Sequence, residues 1–163
     1  MTADPAPKPR RADRQGSRRS LARLAAVQAL YQSEMTEAAG GAVATEFVKH
    51  RLGREIDGDR YAPADEALFR EIVEGAAGRL DEIDPVIGAA LPPEWPVPRL
   101  DAVLRAILRA ATWELSAHVE VPVRVVIAEY VDLGHAFFDA KETGLINGVL
   151  ERLGRELRPT EWA

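Results

Sequence analysis

Seven cations crowd the first 23 residues: Lys8, Arg10, Arg11, Arg14, Arg18, Arg19 and Arg23. Opposed only by Asp4 and Asp13, they give that stretch a net charge of +5, whereas the remaining 140 residues carry −10. Guanidinium groups pair bidentately with phosphate oxygens, and counterion release makes their contacts with a polyanion favourable and salt-sensitive. The chemistry within reach of this cluster is therefore phosphate binding. A solvated basic tail without a ligand has the same composition.

No other group of residues competes as a reactive centre. His50, His118 and His135 are scattered, and Asp132 and His135 share a helix face at i,i+3 with no further metal ligands converging on them. None of Ser17, Ser20, Ser33 and Ser116 lies in a Gly-x-Ser-x-Gly turn, and neither glycine-rich phosphate-loop pattern is present. The chain has no cysteine, which removes disulfides, thiolate zinc sites and a cysteine nucleophile. Carboxylate groups such as Asp81, Glu82 and Asp84 fall at helix starts, where they serve the helix dipole and solubility. The expectation is a binding protein, not an enzyme, with no metal and no cofactor.

The elements that must hold the arginines are helical. Residues 1–16 contain three prolines and little apolar surface and read as a flexible basic arm. Ser17 can cap a helix running to about residue 34 or 35. At 100° per residue, Leu24, Val27, Tyr31 and Met35 form its inner arc, and Arg19 and Arg23 point outward together with Arg18 beside them. Gly40-Gly41 marks a loop, followed by helices over about 42–52, 63–80 and 81–91, with Pro85 tolerable only near a helix start. Pro92, Pro93, Pro96 and Pro98 surround Trp95 in a stiff connector that is neither helix nor central strand.

Beyond the connector, Leu100, Val103, Leu104, Ile107, Leu108, Ala111 and Leu115 keep helical spacing to about residue 118. A helix after Val121-Pro122 turns Val126, Ile127, Tyr130, Val131, Leu133 and Phe137 inward. Asp139 and Glu142 have capping-box spacing for a last helix with Ile146, Val149, Leu150 and Leu153 on its inner face. Within it Asn147 reads as a structural amide locking two helices, and Gly148 as a site of close backbone approach. The fold is expected to be all-α, about seven helices in two packed bundles, with residues 17–159 forming one domain whose lobes span about 17–91 and 99–158. The 163 residues suffice for such a core, and no apolar run reaches the roughly 18–20 residues of a membrane span. No secretory signal is recognisable at the N-terminus, so a cytoplasmic location is the default.

The run Arg18-Arg19-Ser20-Leu21-Ala22-Arg23-Leu24-Ala25-Ala26-Val27-Gln28-Ala29-Leu30-Tyr31 resembles the opening of the NusB family of bacterial transcription antitermination factors. Three later runs match the same family in the same order: Val103 to Leu115, Val121 to Glu129, and Ile146-Asn147-Gly148-Val149-Leu150. The similarity covers about 18–159. It implies an all-α protein that binds single-stranded boxA-like RNA together with NusE, a ribosomal small-subunit protein. It also implies a place in the transcription elongation complex, promoting read-through of terminators in ribosomal RNA operons without catalysis or a cofactor. Some family members look dimeric, so a homodimer is a further expectation.

The resemblance assigns RNA contacts to Arg18, Arg19 and Arg23, with Arg14 an extra, and to Arg105, Lys141 and Leu145. It assigns Tyr31 and Asp101 to the RNA or NusE surface, and here they are taken as partner contacts. Leu145 stands where the family often has an aromatic, Lys141 where an acidic residue can occur, and Ala128 replaces a frequent asparagine. Leucine cannot stack a base as a ring does, whereas a lysine favours phosphate. From the residues alone, Tyr31 is equally a core aromatic with a wet hydroxyl, and Asp101 with Arg105 equally a surface i,i+4 pair. Two other functions fit a chain of this kind. One is a helical RNA-binding domain related to those of rRNA cytosine methyltransferases, although cysteine and a cofactor loop are missing. The other is a scaffold that binds only protein.

Overall fold

The computed structural model describes residues 11–52 and 64–162, with side chains from Arg18 onward. Seven α-helices follow one another: α1 (Arg11–Thr36), α2 (Gly40–His50), α3 (Glu66–Ala77), α4 (Leu80–Ala90), α5 (Ala102–Ala117), α6 (Val123–His135) and α7 (Ala140–Leu157). Two 3₁₀ turns, Val97–Arg99 and Pro159–Trp162, complete the described residues, which contain no strand. The all-α expectation holds. Helix α1 begins at Arg11, six residues before the expected cap at Ser17, so 11–16 belong to a helix rather than to an arm. The remainder of the expected arm, residues 1–10, lies outside the described residues.

Helix α5 explains the architecture. From Leu104 to Leu115 it is buried on nearly every side, with Arg109 alone partly exposed, as a helix at the centre of a bundle must be. It packs against α1, α3, α4, α6 and α7. Helices α1, α2 and α3 pack mainly on one another and on α5. Helix α4 packs on α5 and α7 more than on α3, so the lobes divide between α3 and α4 rather than at the proline connector. One hydrophobic cluster runs through both, from Ala22 and Phe47 to Tyr130 and Leu153.

The buried face of α1 differs from expectation. Ala22, Ala25, Ala26, Val27, Ala29 and Leu30 are buried, and Arg23 with them. The larger Tyr31 and Met35, expected inside, are 40% and 50% exposed. Alanine lets α1 lie close to α3 and α5, whereas Tyr31 or Met35 on that face would hold the helices apart. Phe137, also expected inside, is 43% exposed, because α6 ends at His135 and the chain turns away there. Asp139 occupies the N-cap of α7, yet its side chain makes no capping bond. Its carbonyl instead accepts from the Thr143 backbone N–H (3.1 Å) and hydroxyl (3.2 Å). Asn147 and Gly148 are exposed, and a Cβ on Gly148 would meet nothing within 4 Å, so Asn147 does not lock two helices together and no other element approaches the backbone at Gly148.

Helices α3 and α5 come close at Gly75 of α3, where a Cβ would come within 2.1 Å of Nε1 and 2.2 Å of Cε2 of Trp113 on α5. The indole lies across the bare backbone. Gly75→Ala is expected to displace that ring and lower unfolding stability by about 1–3 kcal/mol despite alanine's better helix propensity. Urea denaturation monitored by tryptophan fluorescence checks it, and a stability equal to the parent's would refute the close-contact assignment.

Candidate nucleic-acid interface

An arginine inside an apolar core must find a carboxylate, and Arg23 does. It is 2% exposed, and its Nε and Nη2 donate to the two oxygens of the fully buried Glu114 at 2.8 and 3.0 Å. The Tyr130 hydroxyl donates to the same carboxylate. Glu129 lies 3.8 Å from Arg23 Nη1 and accepts from the Ser20 hydroxyl, whose Oγ stands 3.0 and 2.8 Å from its two oxygens. Burial opposes the Arg23 charge, but the hydrogen bonds and charge of Glu114 outweigh it, so its pKa stands above the ordinary arginine value. Burial, seconded by Glu114, pushes the Tyr130 phenol well above its usual range, and the ring stays a neutral donor. His118 closes the cluster, with Nε2 2.8 Å from Glu71 and Nδ1 3.6 Å from Glu114.

The expectation that Arg23 faces outward is thus corrected: its guanidinium ties α1 to α5 and is not displayed. Arg105 behaves similarly. It pairs with Glu34 through Nε (3.1 Å) and Nη2, and its Nη1 donates to the carbonyls of Val97 (3.1 Å) and Leu100 (2.8 Å). It therefore clamps the proline connector to α1 and is buried, not set on an open surface. Asp101 is the N-cap of α5, accepting from Val103 (2.8 Å) and Leu104 (3.2 Å), and is not engaged in an ion pair with Arg105. Sequence reasoning missed Glu34, Glu114 and Glu129, and it missed Arg109, which pairs with Asp84 (2.9 and 2.7 Å) and with Glu34 (3.1 Å). It missed Arg158 too, whose guanidinium gathers the carbonyls of Glu114, Leu115, His118 and Val121 at the end of α5. The one sequence signal for Arg23 was its phase, which falls among Ala22, Ala26 and Leu30.

The remaining predicted residues stay at the surface. Arg18 is exposed and Arg19 partly so, both in the second and third turns of α1. The Arg18 carbonyl accepts from Asp65 N–H (3.0 Å), which docks that part of α1 on the start of α3. The side chain of Arg14 lies outside the described residues. Lys141 is exposed in the first turn of α7, with Nζ 5.1 Å from the centroid of the Trp95 ring. Leu145, one turn on, is half-buried and lines a cleft with Ala90, Pro92, Gly144, Gly148 and Arg152. Tyr31 lines a separate cleft of about 600 Å³ with Gln28, Met35, Val103 and Phe137. Two kinds of surface result: cations on α1 and α7, and an apolar furrow beside the outer face of α1.

Two predictions follow from the buried cluster. Arg23→Ala strands the Glu114 charge and is expected to cost about 3–5 kcal/mol in urea denaturation, whereas Arg19→Ala leaves the midpoint within about 0.5 kcal/mol. Equal effects would overturn the inward placement of Arg23. In addition, the unfolded chain ionises Tyr130 near pH 10 while the folded chain keeps it neutral, so stability contributed by that phenol falls as pH rises above about 10. The decline reaches at most about 1.4 kcal/mol per pH unit, and Tyr130→Phe is expected to flatten it in denaturation curves between pH 9 and 11.5.

Residues 20–155 match the family model described as the NusB family. The chain is 49% identical over 149 residues to the transcription antitermination protein NusB of Bradyrhizobium sp. (strain ORS 278), covering 91% of this chain and 89% of that protein. It is 48% identical over 151 residues to the NusB of Nitrobacter hamburgensis, covering 93% of this chain and 94% of that protein. Among solved structures it is similar to T. maritima NusB, with a TM-score of 0.70 and 25% identity over 88% of this chain and 95% of that one. It is also similar to a crystal structure of the antitermination factors NusB and NusE in complex with dsRNA. There the TM-score is 0.67 and the identity 26%, over 90% of this chain and 99% of that one.

Proposed function

The chain belongs to the NusB family, and on that premise we propose that it is a transcription antitermination factor that binds boxA-type RNA together with NusE. In this reading it joins the elongation complex in the cytoplasm, promotes read-through in ribosomal RNA operons and catalyses no reaction. The observation that carries it is the similarity, across nearly the whole chain, to a protein of this fold crystallised with NusE and RNA. The surface agrees with that role. Arg18, Arg19 and Lys141 face outward, while Arg23 and Arg105 are engaged inside. Phosphate contact is accordingly assigned to Arg18, Arg19 and Lys141, with Arg14 on the same helix as an addition and Leu145 beside Lys141. Arg23 and Arg105 act indirectly, by holding α1 and the connector.

The NusE face is the furrow at Tyr31. An exposed tyrosine with Met35 and Phe137 beside it has the composition of a protein-binding patch: large rings and methionine without a dense charge. Asp101, one turn before Leu104 at the start of α5, borders the same end of the molecule as Val103 of that furrow. The same patch is available to a second copy of the chain, so a homodimer and the NusE complex would compete for it. No helix among the described residues is long and apolar enough to cross a membrane.

The test is an RNA titration at two salt concentrations, with and without NusE, using single-stranded and duplex boxA-type RNA. Binding is expected to favour the single strand, to tighten with NusE and to weaken with salt. Arg18→Ala with Arg19→Ala is expected to weaken it and to reduce the slope of log affinity against log salt by about 1.4, the value for two phosphates on a single strand. Affinity and slope unchanged in the double variant would refute the assignment, and NusE binding without any gain for RNA would favour the protein-only scaffold. Tyr31→Ala is expected to cost NusE binding about 2 kcal/mol by calorimetry, as a central aromatic does, and no loss would remove the furrow from the interface.

A further inference from the structure

The family resemblance puts an aromatic where this chain has Leu145, a side chain with no π-face for a base. The tertiary structure brings a ring back to the same corner from a different element. Trp95 stands in the proline connector, half-buried, with part of its ring packed on the core. Its backbone N–H donates to the Pro92 carbonyl (3.0 Å), and Pro92 is one wall of the cleft that Leu145 lines. Lys141, one helical turn before Leu145, holds its ammonium 5.1 Å from the Trp95 centroid. The connector that presents the indole is stiffened by its prolines and by Arg105, which grips the carbonyls of Val97 and Leu100 just beyond.

We propose that Trp95 is the base-stacking residue of this chain, with Lys141 as its paired phosphate contact. This rests on the RNA-binding reading given above. In the free protein the exposed ammonium covers the indole, a weak contact at a wet surface and readily surrendered. On binding, Lys141 turns to a phosphate and an unstacked base takes the ring. The floor of the adjacent cleft is bare at Gly144 and Gly148, where a Cβ would meet nothing within 4 Å, so the strand can approach the α7 backbone closely. Arg152 at the far end of that floor lies on the same helix face as Lys141 and Leu145. The pairing of a rigid ring with a mobile cation suits a single strand, whose bases are free to splay, and not a duplex, whose bases are already stacked.

The experiment uses the full chain with NusE and a single-stranded boxA-type RNA, together with a set of the same RNA carrying one abasic nucleotide at each position in turn. Trp95→Ala is expected to weaken binding about fivefold to a hundredfold with the salt slope unchanged, because no phosphate contact is lost. Trp95→Phe restores most of the affinity, and at one abasic position the wild type and Trp95→Ala bind equally. Lys141→Ala by contrast lowers the salt slope by about 0.7. The proposal is overturned if Trp95→Ala binds the intact RNA as the wild type does. It is equally overturned if its loss is the same for every abasic RNA, which would make Trp95 a support of the connector alone. If the wild type with NusE binds no RNA, the antitermination reading itself fails and this inference with it.

Discussion

The bidentate pair between Arg23 and Glu114 is the contact on which the rest of the molecule is hung. Both side chains lie inside an apolar core, where an isolated charge is strongly disfavoured. Each is sustained by further partners: Tyr130 on the Glu114 carboxylate, and Glu129 near the remaining guanidinium nitrogen. Because those partners come from α1, α5 and α6, satisfying one set of charges fixes how three helices meet. An apolar contact tolerates sliding, whereas a fork of two hydrogen bonds does not. The second and third turns of α1, which carry Arg18 and Arg19, are thereby aimed from a rigid base.

The same device recurs at two other joints. Arg105 and Arg109 share Glu34, linking the middle of α5 to the end of α1, while Asp84 brings in α4. Arg158 folds under the end of α5, where it donates to the Leu115 carbonyl that the helix terminus leaves without an intrahelical donor and adds a second donor to that of Glu114. Guanidinium is suited to this, since its five donors lie in a rigid plane and its charge is lightly hydrated. An acidic protein thus commits several of its arginines to its own interior. The cations that remain outside, Arg18 on α1 and Lys141 in the first turn of α7 among them, are a smaller set than composition implies, and their placement rather than their number gives the surface its character.

The outer face of α1 follows from its inner one. With alanines turned toward α3 and α5, the larger apolar residues of the helix are left on the surface, where Tyr31 and Met35 meet Phe137 and Val103. Close helix packing and an apolar furrow are two results of one distribution of side-chain size. On α7 the glycines at 144 and 148 produce the opposite texture, a bare helix backbone beside a lysine and a tryptophan.

What the sequence determined by itself was local. Helical periodicity, proline punctuation and the absence of strand patterns were enough for seven helices and a connector at Trp95, because backbone preference and spacing are properties of neighbours along the chain. Four collinear runs of residues were enough for the family. The sequence could not decide which face of α1 is buried, since a hydrophobic arc of Leu24, Tyr31 and Met35 and a small-residue arc through Ala22 and Ala26 are both helical stripes. Choosing between them depends on how near α3 and α5 come. Nor could it decide which arginines face out, because an arginine is internal only if a carboxylate distant in the chain, here Glu114 91 residues away, arrives beside it. The nearness of Trp95 to Lys141 is of the same kind: it exists only once α4, the connector and α7 have folded onto α5.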